Sequence, residues 1–141
     1  MNKFRLLHFL IGLFCVITFS SCDKDEDSEP SQQALLTDGE WQGTAVYYNG
    51  NNETRFFRDT IEFDVSEIRL RFDDNGEYRQ TYGRTVLGTW EFEGNEQEIV
   101  ILDSGEAYED RVFINELSSS RLHLDVSWFG PPVELRFTKR R

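Results

Sequence analysis

From position 35 onward apolar and polar residues alternate with a period of two. Clusters of Gly, Asn, Asp, Ser or Pro break the alternation about every eight to twelve residues. Trp41, Gly43, Ala45 and Tyr47 share one parity, and Asn49-Gly50-Asn51-Asn52 ends that run. Phe57, Asp59, Ile61, Phe63 and Val65 share the parity of the next, whose apolar half is read as a core face. Ile68, Leu70 and Phe72 alternate with Glu67, Arg69 and Arg71, and Tyr78, Gln80 and Tyr82 follow a turn. Val86, Gly88, Trp90 and Phe92 lie opposite Thr89, Glu91 and Glu93. Residues 99–102 are a short apolar run whose inward parity stays open. Val112 and Ile114 lead to Leu117 and the turn Ser118-Ser119-Ser120. Leu122, Leu124, Val126 and Trp128 alternate with Arg121, His123 and Asp125. After Gly130-Pro131-Pro132 the series closes with Val133, Leu135 and Phe137. The expectation is an all-β domain, sandwich or barrel, of eight or nine strands with one apolar face each, as a curled antiparallel sheet requires.

Register sharpens one turn. Phe72 and Tyr78 both belong on the core face, so they pair symmetrically about Asn75 and leave the three-residue loop Asp74-Asn75-Gly76. Such a loop is a type I turn ending in a left-handed residue, and Gly76 stands at that position.

Composition agrees with one modest domain: 141 residues, 14% of them aromatic. The formal net charge is −11. Residues 1–21 hold only Lys3 and Arg5 as charges, so without them the balance falls to −13. Such a surface repels phosphates, which argues against nucleic acid as a partner.

The N-terminus has its own pattern. A short basic region precedes an apolar run over residues 6–19, too short to span a bilayer comfortably. The run ends in Phe19-Ser20-Ser21-Cys22, which resembles a bacterial lipobox, with Phe19 where an aliphatic residue is usual. Residues 1–21 are therefore expected to be a lipoprotein signal peptide. Cys22 is expected to be the acylated N-terminus (a palmitate-type anchor) and the membrane the first partner. Two or more chains make such an anchor stable, at roughly 0.8 kcal/mol per buried methylene. Cys15 leaves with the signal peptide, so no intramolecular disulfide is expected.

Asp23-Lys24-Asp25-Glu26-Asp27 follows at once. It reads as solvated linker, and its position resembles the surface-export signal of Bacteroidetes-type lipoproteins. The expected location is the outer membrane, on the cell surface, with the periplasmic leaflet as the alternative. Residues 22–34 are read as an acidic flexible tether spanning on the order of 20 Å, and residues 35–141 as the barrel domain.

Gly39-Glu40-Trp41 opens the first strand as the G-x-W element does in lipocalins. With Phe72-Asp73-Asp74-Asn75-Gly76-Glu77-Tyr78, Gly88-Thr89-Trp90 and Ile114-Asn115-Glu116-Leu117, the chain over residues 35–138 resembles the lipocalin-like domain of bacterial lipoproteins. The resemblance implies an up-and-down antiparallel β-barrel of about eight strands. It carries over no binding residue, because the shared positions are scaffold.

Candidate chemistry is sparse. Trp41, Tyr47, Phe63, Phe72, Tyr78, Tyr82, Trp90 and Phe92 are expected to line the interior, where filling is the commoner role of a ring. Trp41 and Trp90 read as packing residues. Tyr47, Gln80, Tyr82 and Trp128 read as ligand-facing, being near strand ends or carrying a polar handle. His123, beside Asp125, falls on the outer parity. Once residues 1–21 are removed, with His8 and Cys15, the remaining single histidine and acylated cysteine leave no zinc set and no Cys/His catalysis, and no G-x-S-x-G elbow is present. The stretch from Arg71 to Tyr82 lacks the oxygen donors of a calcium loop at both of those ends. Asp103, Glu106, Glu109 and Asp110 read as a solvated acidic loop. Asp59-Thr60-Ile61 resembles a D-[ST]-apolar glycan acceptor.

The resulting expectation is a non-enzymatic, membrane-anchored barrel without cofactor or metal. It binds a small apolar molecule or a partner. The alternative is a filled barrel that presents loops such as Phe129-Gly130-Pro131-Pro132 to another surface protein.

Overall fold

The structure is a computed structural model that describes residues 29–140. The expected signal peptide over residues 1–21, Cys22 and the acidic block Asp23-Lys24-Asp25-Glu26-Asp27 lie outside the described residues.

Among the described residues, nine strands form one antiparallel sheet that closes on itself. They are β1 (Glu40–Tyr48), β2 (Asn51–Asn52), β3 (Arg69–Phe72), β4 (Glu77–Tyr82), β5 (Arg84–Glu93), β6 (Glu98–Asp103), β7 (Asp110–Leu117), β8 (Arg121–Val126) and β9 (Val133–Arg140). The sheet order is β2-β1-β3-β4-β5-β6-β7-β8-β9, with β1 also paired to β9. The barrel is thus eight-stranded and up-and-down, with β2 as one extra strand. Closure removes the open edges that a curled sheet would otherwise expose.

Among the described residues, two short helices sit at opposite ends. α1 (Gln32–Thr37) precedes β1 and buries Leu36 completely. Its N-terminus is capped by Ser31, whose Oγ accepts from the Ala34 N–H at 3.1 Å. The helix crosses position 34/35, so part of the expected tether is ordered structure. α2 (Thr54–Thr60) follows β2 at the other end, and a single 3-10 turn (Val65–Glu67) leads into β3. The turn is capped by Asp64, whose carboxylate accepts from the Ser66 N–H at 2.9 Å.

The expected strand over 57–65 is therefore replaced by α2 and the 3-10 turn. The side chains explain why. Asn52 caps the Thr54 N–H, Arg55 and Asp59 pair at i,i+4 along the helix, and Asp64 caps the turn. Phe57 is buried from a helix, not from a pleat.

Pairing elsewhere follows the alternation. Phe72 pairs with Tyr78, Gly76 has φ +84°, and its N–H donates to the Asp73 carbonyl at 3.0 Å. The turn Asp74-Asn75-Gly76 is the three-residue loop expected from register. In β6, Ile99 and Ile101 face inward opposite Phe92 and Trp90, which resolves the open parity. Trp41, Phe72, Leu122, Leu135 and Phe137 are at most 1% exposed.

Two bulges break the pattern. In β1 the register with β9 shifts between Gly43 and Ala45, so Val46, not Tyr47, faces the core. In β7 it shifts between Ile114 and Glu116. A bulge inserts one unpaired residue and reverses the parity beyond it. Tyr47, expected inside, consequently lies on the outer wall, with the Arg136 guanidinium 3.6 Å from its ring centre. Trp128 lies beyond the end of β8, in the β8–β9 loop, and is 37% exposed. Asp103, expected in a solvated loop, ends β6 on the inward parity, opposite Gly88.

Candidate functional site

The two ends of the barrel differ in kind. At the end where β1 begins, α1 closes the floor. The Trp41 indole N–H donates to the Leu36 carbonyl at 2.9 Å. Lys139 lies 4.9 Å above the Trp41 ring and donates to Asp38 at 3.0 Å and to the Leu35 carbonyl at 3.3 Å. Packing and polar bonds leave this end tied shut.

The other end is the mouth. Asn49 and Gly50, both at positive φ, turn β1 tightly into β2. α2 then crosses the opening and drops Phe57 into it. Phe57, Phe63 and Phe129 form an aromatic plug, with ring centres 5.0 Å apart for Phe57–Phe129 and 4.8 Å for Phe63–Phe129, both edge-to-face. Tyr82 packs behind the plug, 5.4 Å from Phe63, and its hydroxyl donates to the Glu62 carbonyl at 3.3 Å.

Above the plug runs a groove of about 590 Å³ between α2 and the β8–β9 loop. Its walls are Tyr48, Phe56, Phe57, Ile61, Phe129 and Pro131, with Glu53 at the edge and Val133 in the base. Phe56 is 49% exposed and Ile61 45%. Such a volume lies within the range of roughly 300–1,000 Å³ usual for small-molecule sites. Exposed large apolar side chains gathered in one concavity mark a contact site more than scattered ones do.

Below the plug the interior keeps a polar patch. The Tyr78 hydroxyl donates to Gln80 Oε1 at 2.7 Å. Burial, reinforced by the carboxylates of Asp103 and Asp110, pushes the Tyr78 hydroxyl well above its ordinary pKa. Asp103 Oδ1 is buried without a hydrogen-bond partner, the one such side-chain atom among the described residues. Burial first, then Asp110 and Glu106, raise the Asp103 carboxyl above the usual aspartate range. Among the described residues no three His, Cys, Asp or Glu side chains converge as a metal set, and no helix is long and apolar enough to cross a membrane.

Of the residues singled out from sequence, the structure brings Tyr82 to the plug and Gln80 to Tyr78. It places Tyr47 on the outer wall and Trp128 in the loop beside, not in, the groove walls. Phe129 was singled out only as part of a loop offered to a partner, and Phe57 and Ile61 only as core-facing strand residues; their place in the groove beside Phe56 was missed because an alternation of period two was imposed on 57–65. The helical signal was present: Phe57 and Ile61, like Arg55 and Asp59, are four apart.

A family model for the lipocalin-like domain matches residues 37–124, more than half of the chain. The chain belongs to the lipocalin-like domain family. The lipocalin-like match takes in β1 to β7 and α2, ends within β8, and so stops before the loop that supplies Phe129 and Pro131 to the groove. No curated protein matches the chain. Among solved structures, a DUF4847-family protein from Bacteroides vulgatus is similar, with 14% identity and a TM-score of 0.56 over 79% of this chain and 100% of that one. A lipocalin-like protein from Bacteroides uniformis is 18% identical, with a TM-score of 0.49 over 72% of this chain and 96% of that one. At such identities the first of these likenesses speaks for the fold alone.

Proposed function

We propose that this chain is a membrane-anchored, non-enzymatic lipocalin-like barrel that binds a small apolar molecule in the groove at its mouth. The observation that carries the reading is that groove: about 590 Å³, apolar but for Glu53 at its edge, between a helix and a loop. The aromatic plug supports binding on the rim above Phe57 and Phe129, since the space directly below is occupied by rings.

The anchor in this reading is the acylated Cys22, with Asp23-Lys24-Asp25-Glu26-Asp27 directing the protein to the outer face of an outer membrane. α1 lies at the closed end, so the tether enters the barrel opposite the mouth.

The plug also favours a second reading, in which the filled barrel uses the groove and the Phe129-Gly130-Pro131-Pro132 loop to hold a partner protein. Uptake of an apolar fluorescent probe by the full-length protein in mild detergent separates the two. Saturable uptake that falls in Phe56→Ser supports the small-molecule reading; no uptake at all favours the partner reading. Anchoring is tested separately. Cys22→Ala should move the protein from the membrane to the soluble fraction, and unchanged partition without acyl mass would remove the lipoprotein assignment.

A further inference from the structure

Tyr47 and Asn115 come from strands that are not neighbours, yet both project into one cleft on the outer wall. The cleft has a volume of about 320 Å³ and is lined by the turn after β1, the β7 bulge and the outer faces of β8 and β9. Each is delivered by a bulge. The shift between Gly43 and Ala45 turns Tyr47 outward, and the shift between Ile114 and Glu116 sets Asn115 over β8 and β9. A bulge re-aims a side chain at a local cost in pairing, and two that serve one concavity are unlike chance irregularities of a closing barrel.

The chemistry in the cleft is planar and polar. Asn115 Nδ2 donates to Asp125 Oδ1 at 2.7 Å and to Glu134 Oε2 at 3.0 Å, and Arg136 Nε donates to Glu134 Oε1 at 2.6 Å. Burial opposes ionisation of Glu134, but the bonds from Arg136 and Asn115 outweigh it and hold the carboxyl below its usual range. Asn49, at φ +49°, adds an amide at the rim. The carboxylates are already met by donors, and Arg136 lies against one of them, which disfavours a metal cation. The same carboxylates disfavour a phosphate. The scarcity of apolar wall disfavours a lipid. What remains is a neutral molecule with many hydroxyls. The amide oxygens of Asn115 and Asn49 and the remaining carboxylate lone pairs can accept from vicinal hydroxyls, and the Tyr47 ring, with the Arg136 guanidinium stacked on one face, walls the cleft.

We propose that this outer cleft, built from Tyr47, Asn49, Asn115, Asp125, Glu134 and Arg136, is a binding site for a neutral saccharide, separate from the groove at the mouth. The site does not depend on the apolar-ligand reading, because it shares no wall residue with that groove.

The test uses the full-length protein in detergent against an array of neutral and N-acetylated saccharides. The best binder is then titrated while the Asn115 side-chain amide signals are followed by NMR. The expected result is saturable binding that shifts those signals, with a roughly tenfold loss of affinity in Asn115→Ala, as loss of one or two hydrogen bonds predicts. Glu134→Gln and Tyr47→Leu serve as second variants should Asn115→Ala fail to fold. Phe56→Ser should bind the saccharide as the wild type does. Absence of binding to every saccharide at millimolar concentration overturns the proposal. So does binding indifferent to all three cleft variants. A shift of the Asn115 signals by calcium chloride alone, without saccharide binding, would make the cleft a cation site and overturn it equally.

Discussion

The indole N–H of Trp41 donates to the main-chain carbonyl of Leu36 at 2.9 Å, in the buried floor of the barrel. Leu36 lies in the last turn of α1, where carbonyls have no partner within the helix. One side chain thus fills the core and terminates a helix. Trp41→Ala should lose about 3–5 kcal/mol, the usual scale for a large buried ring. Trp41→Phe keeps most of the ring but leaves the carbonyl without its donor, which should cost about 1–3 kcal/mol. Denaturant unfolding of both variants measures the difference. Equal stability of Trp41→Phe and wild type would show that the ring alone matters.

Two glycines are set by different demands. Gly76 needs φ +84°, so Gly76→Val should destabilise by about 1–3 kcal/mol through backbone strain. Gly43 lies in extended backbone, but a Cβ there would collide with the Val65 carbonyl oxygen and side chain of the 3-10 turn. Gly43→Ala should push that turn off β1 and cost about 1–3 kcal/mol as overpacking. Thermal melts check both, and an unchanged melt for Gly76→Val would refute the three-residue loop.

Neighbouring phenylalanines in α2 should behave oppositely. Phe57 is 7% exposed and Phe56 49%. Phe57→Ala should cost about 3–5 kcal/mol and open the plug. Phe56→Ala should change stability by about 0.5 kcal/mol or less, as surface substitutions do, while weakening probe uptake. Paired melting and uptake measurements test this; a stability loss of similar size in both would mean that α2 is seated differently.

Asp103 sets a pH dependence whose sign is fixed by its raised pKa. The folded chain holds this proton more tightly than the unfolded chain. Asp103 therefore favours folding at acid pH, below the ordinary aspartate range, and that contribution is lost as pH rises through its raised value. Asp103→Asn has no such proton to lose. Its melting temperature should exceed that of the wild type at neutral pH, and the gap should shrink as the pH falls into the acid range. Melting curves across that range decide it, and a gap that widens on acidification would contradict the burial of the carboxylate.

Legibility from sequence followed the range of the forces involved. Strands β3, β4, β5, β8 and β9 alternate cleanly because one face meets a core and the other meets water. The failure at 57–65 came from local polar bonds, those of Asn52, Arg55 and Asp64, which stabilise helix and turn against a weak alternation. Tyr47 was misplaced because a bulge costs one residue of register, and nothing in Gly43-Thr44-Ala45 announces it. Trp128 kept the parity of β8 in the sequence, but the strand ends at Val126.

The sequence by itself determined the all-β class, most strand faces, the turn at Gly76 and the packing role of Trp41 and Trp90. Each of these depends on neighbours within a few residues or on a period of two, and both are written locally. Only the tertiary structure decided that α2 crosses the mouth, that Phe57, Phe63 and Phe129 meet there, and that Tyr47 and Asn115 share an outer cleft. Phe129 stands more than sixty positions from Phe57 and Phe63, as Asn115 does from Tyr47, and barrel curvature with two bulges sets their geometry. The physical reason is that curvature and closure are properties of the whole sheet, whereas alternation is a property of each strand.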